Sequence, residues 1–186
     1  MGSFVRRLAR RRPVLLPKLR ADRGCPPTRA RYRNNLVVHE SDLPKGRGWS
    51  PMSWHILEGT QRIPVTMLEA ADEVDAGPIY LREWIELEGH ELSPEWRELQ
   101  ANSTRRLCRY FVTQYPAILE RVRQQEGEPS FHLRRRPKDS ELDPLKSITE
   151  QFNLLRIVDN ENYPAFFEVA GKRFILRIES GQKAHG

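Results

Sequence analysis

Residues 34–51 read NNLVVHESDLPKGRGWSP, and the fold of the whole chain turns on them. The apolar run Leu36-Val37-Val38 is β-branched enough to be a buried strand. It delivers His39 at its carboxyl end, into a loop that Pro44, Gly46, Gly48 and Pro51 keep out of regular structure. In open α/β sheets, ligands sit at strand carboxyl ends. Downstream, Glu73-Val74-Asp75-Ala76-Gly77-Pro78 places a carboxylate in a second Gly/Pro turn, ahead of another apolar strand. A histidine and an aspartate, each just beyond a strand, suit acid/base work.

Taken in order, His39-Glu-Ser-Asp-Leu-Pro-Lys-Gly-Arg-Gly, a tryptophan helix at Trp54, Ile63-Pro-Val-Thr and Val74-Asp-Ala-Gly-Pro-Ile resemble the catalytic half of the folate-dependent formyltransferases. That family includes the glycinamide ribonucleotide, methionyl-tRNA and nucleotide-sugar amine formyltransferases. The resemblance runs from about Asn34 to Ile178. It implies an α/β fold: a partial, formyltransferase-type Rossmann-like sheet with a small C-terminal α+β appendage that contains a hairpin. Three parts follow: a basic leader at 1–33, a catalytic half at 34–125 and the appendage at 126–186.

Charge is divided along the same lines. Net charge is +6, but residues 1–33 hold eleven Lys/Arg against the single acid Asp22. The other 153 residues carry 20 bases and 24 acids, so the body is mildly acidic and a basic pI says nothing about its partner. The leader has four prolines and no sustained periodicity. It reads as a disordered, non-family segment, as an Arg-rich targeting segment, or as a nucleic-acid or membrane-binding arm. The resemblance favours the first. In the family a complete nucleotide-fold half precedes the motifs, and each βαβ unit of it needs ~30 residues or more. A catalyst would then need a partner chain to supply that half, or another route. Cys25 and Cys108 match no zinc spacing and suit a reducing cytoplasm, no metal site is expected, and no apolar run approaches a membrane span.

The pattern predicts a strand at 36–39, a loop at 42–51, and a short helix at 52–58 ended by Gly59. Strands follow at 64–69 and 79–87. Ser93 is expected to cap a helix running to about Gln114, broken by Pro116 and continued to about Gln125. Phe131 opens a strand, Ser147 with Glu150 reads as a capping box for a helix over 147–156, and Ala170-Gly171-Lys172 joins a hairpin. Trp49, Trp54, Trp84 and Trp96 are expected in the core or in helix packing. Arg-Pro-Lys-Asp-Ser at 136–140, Asn153-Leu-Leu-Arg and Tyr163-Pro-Ala-Phe-Phe resemble the C-terminal extension of the methionyl-tRNA and nucleotide-sugar enzymes, which the purine-pathway enzymes lack.

Formyl transfer to an amine passes through a tetrahedral oxyanion and moves a proton from the attacking nitrogen to the leaving one. The resemblance gives the oxyanion to His39 and the tuning of that histidine, with proton relay, to Asp75. It gives the pterin of 10-formyltetrahydrofolate, the formyl donor, to the turn Asp72-Glu73-Val74, which otherwise reads as an ordinary acidic turn. Lys45 and Arg47 suit an acceptor phosphate or a solvated loop equally, and Arg134-Arg135-Arg136 an anion site or a solvated face. The Leu43-Pro44 bond is expected to be cis. The family also places an asparagine two residues before the histidine; here that position is Val37. Asn35 shares its face but lies ~6–7 Å behind, so either it substitutes through a bulge, or the missing donor is supplied elsewhere, or activity is reduced.

The leading reading is formyl transfer from 10-formyltetrahydrofolate to the amino group of a nucleotide-linked amino sugar, a small-molecule acceptor. Methionyl-tRNA is the second acceptor, against which the acidic body argues. A third reading, of another class, is a non-catalytic relative that binds folate or a partner protein.

Overall fold

The computed structural model describes residues 32–181 and the backbone of Val14–Leu15. Most of the readings of the basic leader therefore lie outside the described residues. Its Val14–Leu15 form a short strand, β1, which runs parallel to Asn35-Leu36 at the start of β2 (Asn35–His39).

A mixed four-stranded sheet in the order β1-β2-β4-β5 organises the rest, with β4 at Arg62–Glu69 and β5 at Ile79–Glu86, each antiparallel to its predecessor in the sheet. Six consecutive residues of β4, Ile63 to Leu68, are buried, as befits a strand covered on both faces. Pro64 fits there because β2 flanks β4 only from Thr66 onward, leaving one side with no ladder to interrupt. β5 alternates instead and forms an edge, carrying Arg82, Glu83 and Glu86.

Helix α1 (Pro51–Leu57) ends near Gly59, as its sequence predicts, and buries Met52 and Ile56. Helix α2 (Ser93–Gln114) packs on β5 through Trp96, Leu107 and Phe111, one stripe at helical spacing. Its cap differs from expectation. Ser93 lies inside the helix, Leu92 is the N-cap, and Glu95 accepts the Leu92 N–H at 2.7 Å. The reciprocal half of a capping box thus operates without a capping side chain. Beyond Pro116 the chain forms only a 3₁₀ turn, Ala117–Arg121, before it pairs with Ile79 at Arg123.

Two tryptophans depart from expectation. Trp96 is 4% exposed, but Trp49 is 46% and Trp84 40% exposed, with Arg134 over the first ring and Arg62 over the second. Trp54 is half-buried and stacks on His132.

The C-terminal part has its own small core of Leu142, Leu155, Val158 and Ala165. The Ser147–Glu150 contacts form as expected, but as a turn ahead of helix α3 (Phe152–Ile157). Strands β7 (Ala165–Val169) and β8 (Lys172–Leu176) make the hairpin, with Ala170 and Gly171 both at positive φ, the signature of a two-residue type I′ turn.

One buried ion pair fixes this part to the start of α2. Arg156, 2% exposed, donates to the Glu91 carboxylate at 3.1 Å and to the Glu91 carbonyl at 3.2 Å. Its own carbonyl accepts from the Trp96 indole at 2.9 Å. Burial pushes the Glu91 carboxyl up, but the amides of Glu88 and Gly89 and the Arg156 guanidinium more than offset it, and the group stays ionised below the usual range. Replacing Arg156 by Met leaves that charge buried without its partner. Arg156→Met is expected to cost about 3–5 kcal/mol, read as a lowered urea midpoint; a loss below ~1 kcal/mol, the range of exposed pairs, would show the pair to be dispensable.

Candidate active site

β2 ends at His39, which is 2% exposed and directly opposite Thr66 of β4. The ring Nε2 lies 2.8 Å from the Gly46 carbonyl. A carbonyl can only accept, so Nε2 carries a hydrogen and donates it. Ser41 Oγ donates to the same carbonyl at 2.8 Å. Nδ1, on the other side of the ring, faces Asp75 Oδ2 at 3.6 Å, just beyond a direct hydrogen bond. The structure thus brings together the histidine and aspartate singled out from sequence. Since Nε2 is already engaged by Gly46, the oxyanion role implied for His39 would fall to Nδ1.

The loop after His39 is buried although it lacks regular structure, so its polar groups need partners. Arg82 supplies several: it pairs with the Asp42 carboxylate, and donates to Leu43 O and Thr66 Oγ1 at 3.3 Å each. Nothing in the local sequence marks Arg82 for this, because its partners lie up to 40 positions upstream in the chain. The Leu43-Pro44 bond is cis, as expected. Gly46 has φ +71, and a Cβ there would meet Ser41 Oγ at 2.7 Å. Only glycine suits this corner.

Arg47 and Gly48 form β3, which pairs in parallel with β6 (Phe131–His132). The Gly48 N–H donates to Asp75 Oδ2 at 2.9 Å and so aims that carboxylate, while Asp75 itself sits at φ +53. Arg47 is 7% exposed, with Nη1 2.7 Å from Glu73 and Nη2 2.8 Å from Gln125 Oε1. It is engaged with the protein instead of facing an acceptor phosphate, whereas Lys45 is exposed. Asp72, Glu73 and Val74 line the open rim of the second turn, Val74 at 62% exposure. Gln125, Ser130 and His132 complete the cradle; sequence reasoning missed all three. Ser130 accepts the Gly46 N–H at its hydroxyl and the Arg47 N–H at its carbonyl, each at 2.9 Å.

Asn35 is not brought to His39. Residues 36–39 of β2 pair with β4 without a bulge, and the register shift falls between Met67 and Leu68, against β5. Asn35 instead bonds Glu69 through its backbone N–H at 2.6 Å, at the opposite end of the strand.

Two further histidines flank the loop. His132 lies against Trp54 and His55, with ring centroids 5.7 Å and 6.1 Å away. Burial holds both His55 and His132 below the usual histidine value, and the neighbouring histidines add to it, while Glu58 opposes. Unfolded, these rings titrate near 6.5 and bind protons more readily than when folded. Their contribution to stability is therefore complete above that value and is lost as pH falls through the folded values.

No protein-family model matches the chain. A methionyl-tRNA formyltransferase of Mycoplasma capricolum is 28% identical over 124 residues, 66% of this chain and 39% of that protein. The chain thus spans 39% of the length of the curated relatives it matches. Among solved structures, the methionyl-tRNA formyltransferase of Clostridium thermocellum superposes with a TM-score of 0.63 at 24% identity, covering 82% of this chain and 65% of that one. A 4-N formyltransferase from Francisella tularensis gives 0.62 at 20%, covering 82% and 64%. HypX from Aquifex aeolicus, in complex with tetrahydrofolic acid, gives 0.54 at 17%, covering 80% and 26%.

Two outcomes test this geometry. At Gly77 a Cβ would fall 1.7 Å from the Glu69 carbonyl oxygen, so any side chain must push the Asp75 turn away from β4. Gly77→Ala is expected to cost about 1–3 kcal/mol in a urea melt; an unchanged midpoint would show the turn free to move. Thermal stability is also expected to fall between pH 7 and pH 5, and the fall to shrink in His55→Gln, His132→Gln; an equal fall in that variant would contradict the assignment. In sequence the chain is similar to methionyl-tRNA formyltransferases over 124 residues, and in fold it is similar to structures of formyltransferases and of HypX.

Proposed function

We propose that this chain carries the catalytic pair of an enzyme that moves a formyl group from 10-formyltetrahydrofolate to the amine of a nucleotide-linked amino sugar. The observation that carries the reading is the Asp75 carboxylate, aimed by the Gly48 N–H and set 3.6 Å from His39 Nδ1. In the reaction the acceptor nitrogen bonds to the formyl carbon, the bond from that carbon to the donor's nitrogen breaks, and the attacking nitrogen loses a proton that the leaving one gains. Asp75 takes that proton through a water and returns it to the leaving nitrogen, while His39, carrying hydrogens on both ring nitrogens, donates Nδ1–H to the oxygen that gains charge. The rim formed by Asp72, Glu73 and Val74 is the surface assigned to the donor's ring; the tetrahydrofolate-bound neighbour supports a folate of this class.

The excess of acids outside residues 1–33 favours a small acceptor over tRNA. A methionyl-tRNA acceptor is the second reading, supported by the name of the sequence relatives. Purified protein with 10-formyltetrahydrofolate and a panel of nucleotide-linked amino sugars, or with charged methionyl-tRNA, separates them. Formylated sugar by mass spectrometry is expected, with Asp75→Asn lowering the rate by roughly 10²–10⁴-fold, the usual worth of acid/base catalysis. Product on tRNA alone would overturn the acceptor, an unchanged rate in Asp75→Asn would overturn the pair, and transfer to neither would favour a binding protein.

A further inference from the structure

Gln125 occupies a position that neither the sequence motifs nor the proposed chemistry uses. Its side chain lies between the two loops of the candidate site. Nε2 is 2.7 Å from the Asp75 carbonyl and 2.8 Å from the Gly77 carbonyl, and Oε1 is 2.8 Å from Arg47 Nη2 and 3.3 Å from Arg47 Nε. This orientation of the amide is not interchangeable with its flip. Both carbonyls can only accept and a guanidinium can only donate, so the nitrogen must face the turn and the oxygen the arginine. Three polar groups from two segments therefore converge on one amide, and one of its bonds holds the carbonyl of the very residue whose carboxylate faces His39.

The backbone around Asp75 needs such a hold. Asp75 sits at φ +53, a conformation that costs a non-glycine residue energy and persists only where surroundings over-determine it. Gln125 fixes the carbonyl of Asp75 and, two residues on, that of Gly77; the Gly48 N–H fixes its carboxylate. Arg47, held by Gln125, immediately precedes Gly48. The glutamine is thus tied to both ends of the Gly48–Asp75 hydrogen bond.

We infer that Gln125 is a positioning residue: it sets the Asp75 carboxylate against His39 Nδ1 by clamping the Asp75 turn to Arg47. The inference rests on the His39–Asp75 pairing proposed above and adds the group that holds it in register. Gln125 touches no reacting atom in this role. Its loss changes how the pair is presented, so the ring of His39 reports on it.

The test is the 15N spectrum of the histidine side chains in the full chain at pH 7, with the His39 signals assigned by their absence in His39→Gln. Wild type, Asp75→Asn, Gln125→Met and the double variant are compared; Met keeps the length of the side chain without its amide. Gln125→Met is expected to move the His39 Nδ1 resonance in the same direction as Asp75→Asn while leaving His55 in place. The double variant is expected to move it no further than the larger single change. If Asp75→Asn moves His39 and Gln125→Met does not, Gln125 is merely structural and the inference falls alone. If Asp75→Asn itself leaves His39 unmoved, the pairing is absent and the functional reading falls with it. Should Gln125→Met fail to fold, the wild-type Gln125 amide protons decide. Exchange much slower than at the exposed Gln124 amide supports the clamp, and equal exchange overturns it.

Discussion

The site depends on one constraint. The loop that follows β2 is buried yet irregular, so its backbone and side-chain polar groups must find partners outside any ladder. Glu40, Ser41, Leu43, Gly46 and Arg47 are all nearly inaccessible to solvent. The partners come from five places: Thr66 on β4, Arg82 on the edge strand, Gln100 on α2, the turn at 72–77, and the segment 123–132. Satisfying the loop draws these segments together, and the Gly48–Asp75 hydrogen bond is one of the resulting contacts. The facing of His39 and Asp75 is therefore a consequence of solving a burial problem.

That arrangement bears on how the chain divides. A boundary after residue 125 cuts through the cradle, because Gln125, Ser130 and His132 hold the loops on which His39 and Asp75 rest. The independent core near Leu142 and Ala165 begins further on, and Arg156 joins it to α2. The functional unit proposed here is accordingly the sheet, its two loops and the crossing segment together. Val37 stands where the resembled family has an asparagine, and the unbulged pairing of β2 keeps Asn35 at the far end of the strand. Among the described residues of β2, no amide takes over that place, so Nδ1 of His39 is the donor on which the proposed chemistry relies.

Much of this was legible in the sequence, and the reasons are local. A β-branched run ending in histidine, followed by Pro and Gly, marks a strand end and an irregular loop; Asp75 before Gly-Pro marks a turn. Ala170-Gly171 fixes a hairpin because both turn positions need positive φ. What was not legible depends on distant partners. Arg47 reads as a free cation on a glycine-rich loop until Glu73 and Gln125, 26 and 78 residues away, are placed beside it. The tryptophans mislead for a similar reason: an arginine stacked on an exposed ring serves it as a hydrophobic neighbour would, and the local sequence does not disclose the pairing. Ser93 before Pro94 looks like a cap, yet Glu95 reaches the Leu92 amide and shifts the start by one residue.

The Asp75 carboxylate is held by the backbone of the first loop. Native-state hydrogen exchange at the Gly48 amide tests it most directly, since that N–H makes the bond. Gly48 is expected to exchange only through large openings, alongside amides of the buried strand β4 such as Met67. Exchange as fast as at the exposed Gly127 would contradict it, and would mean that the two loops meet without holding each other.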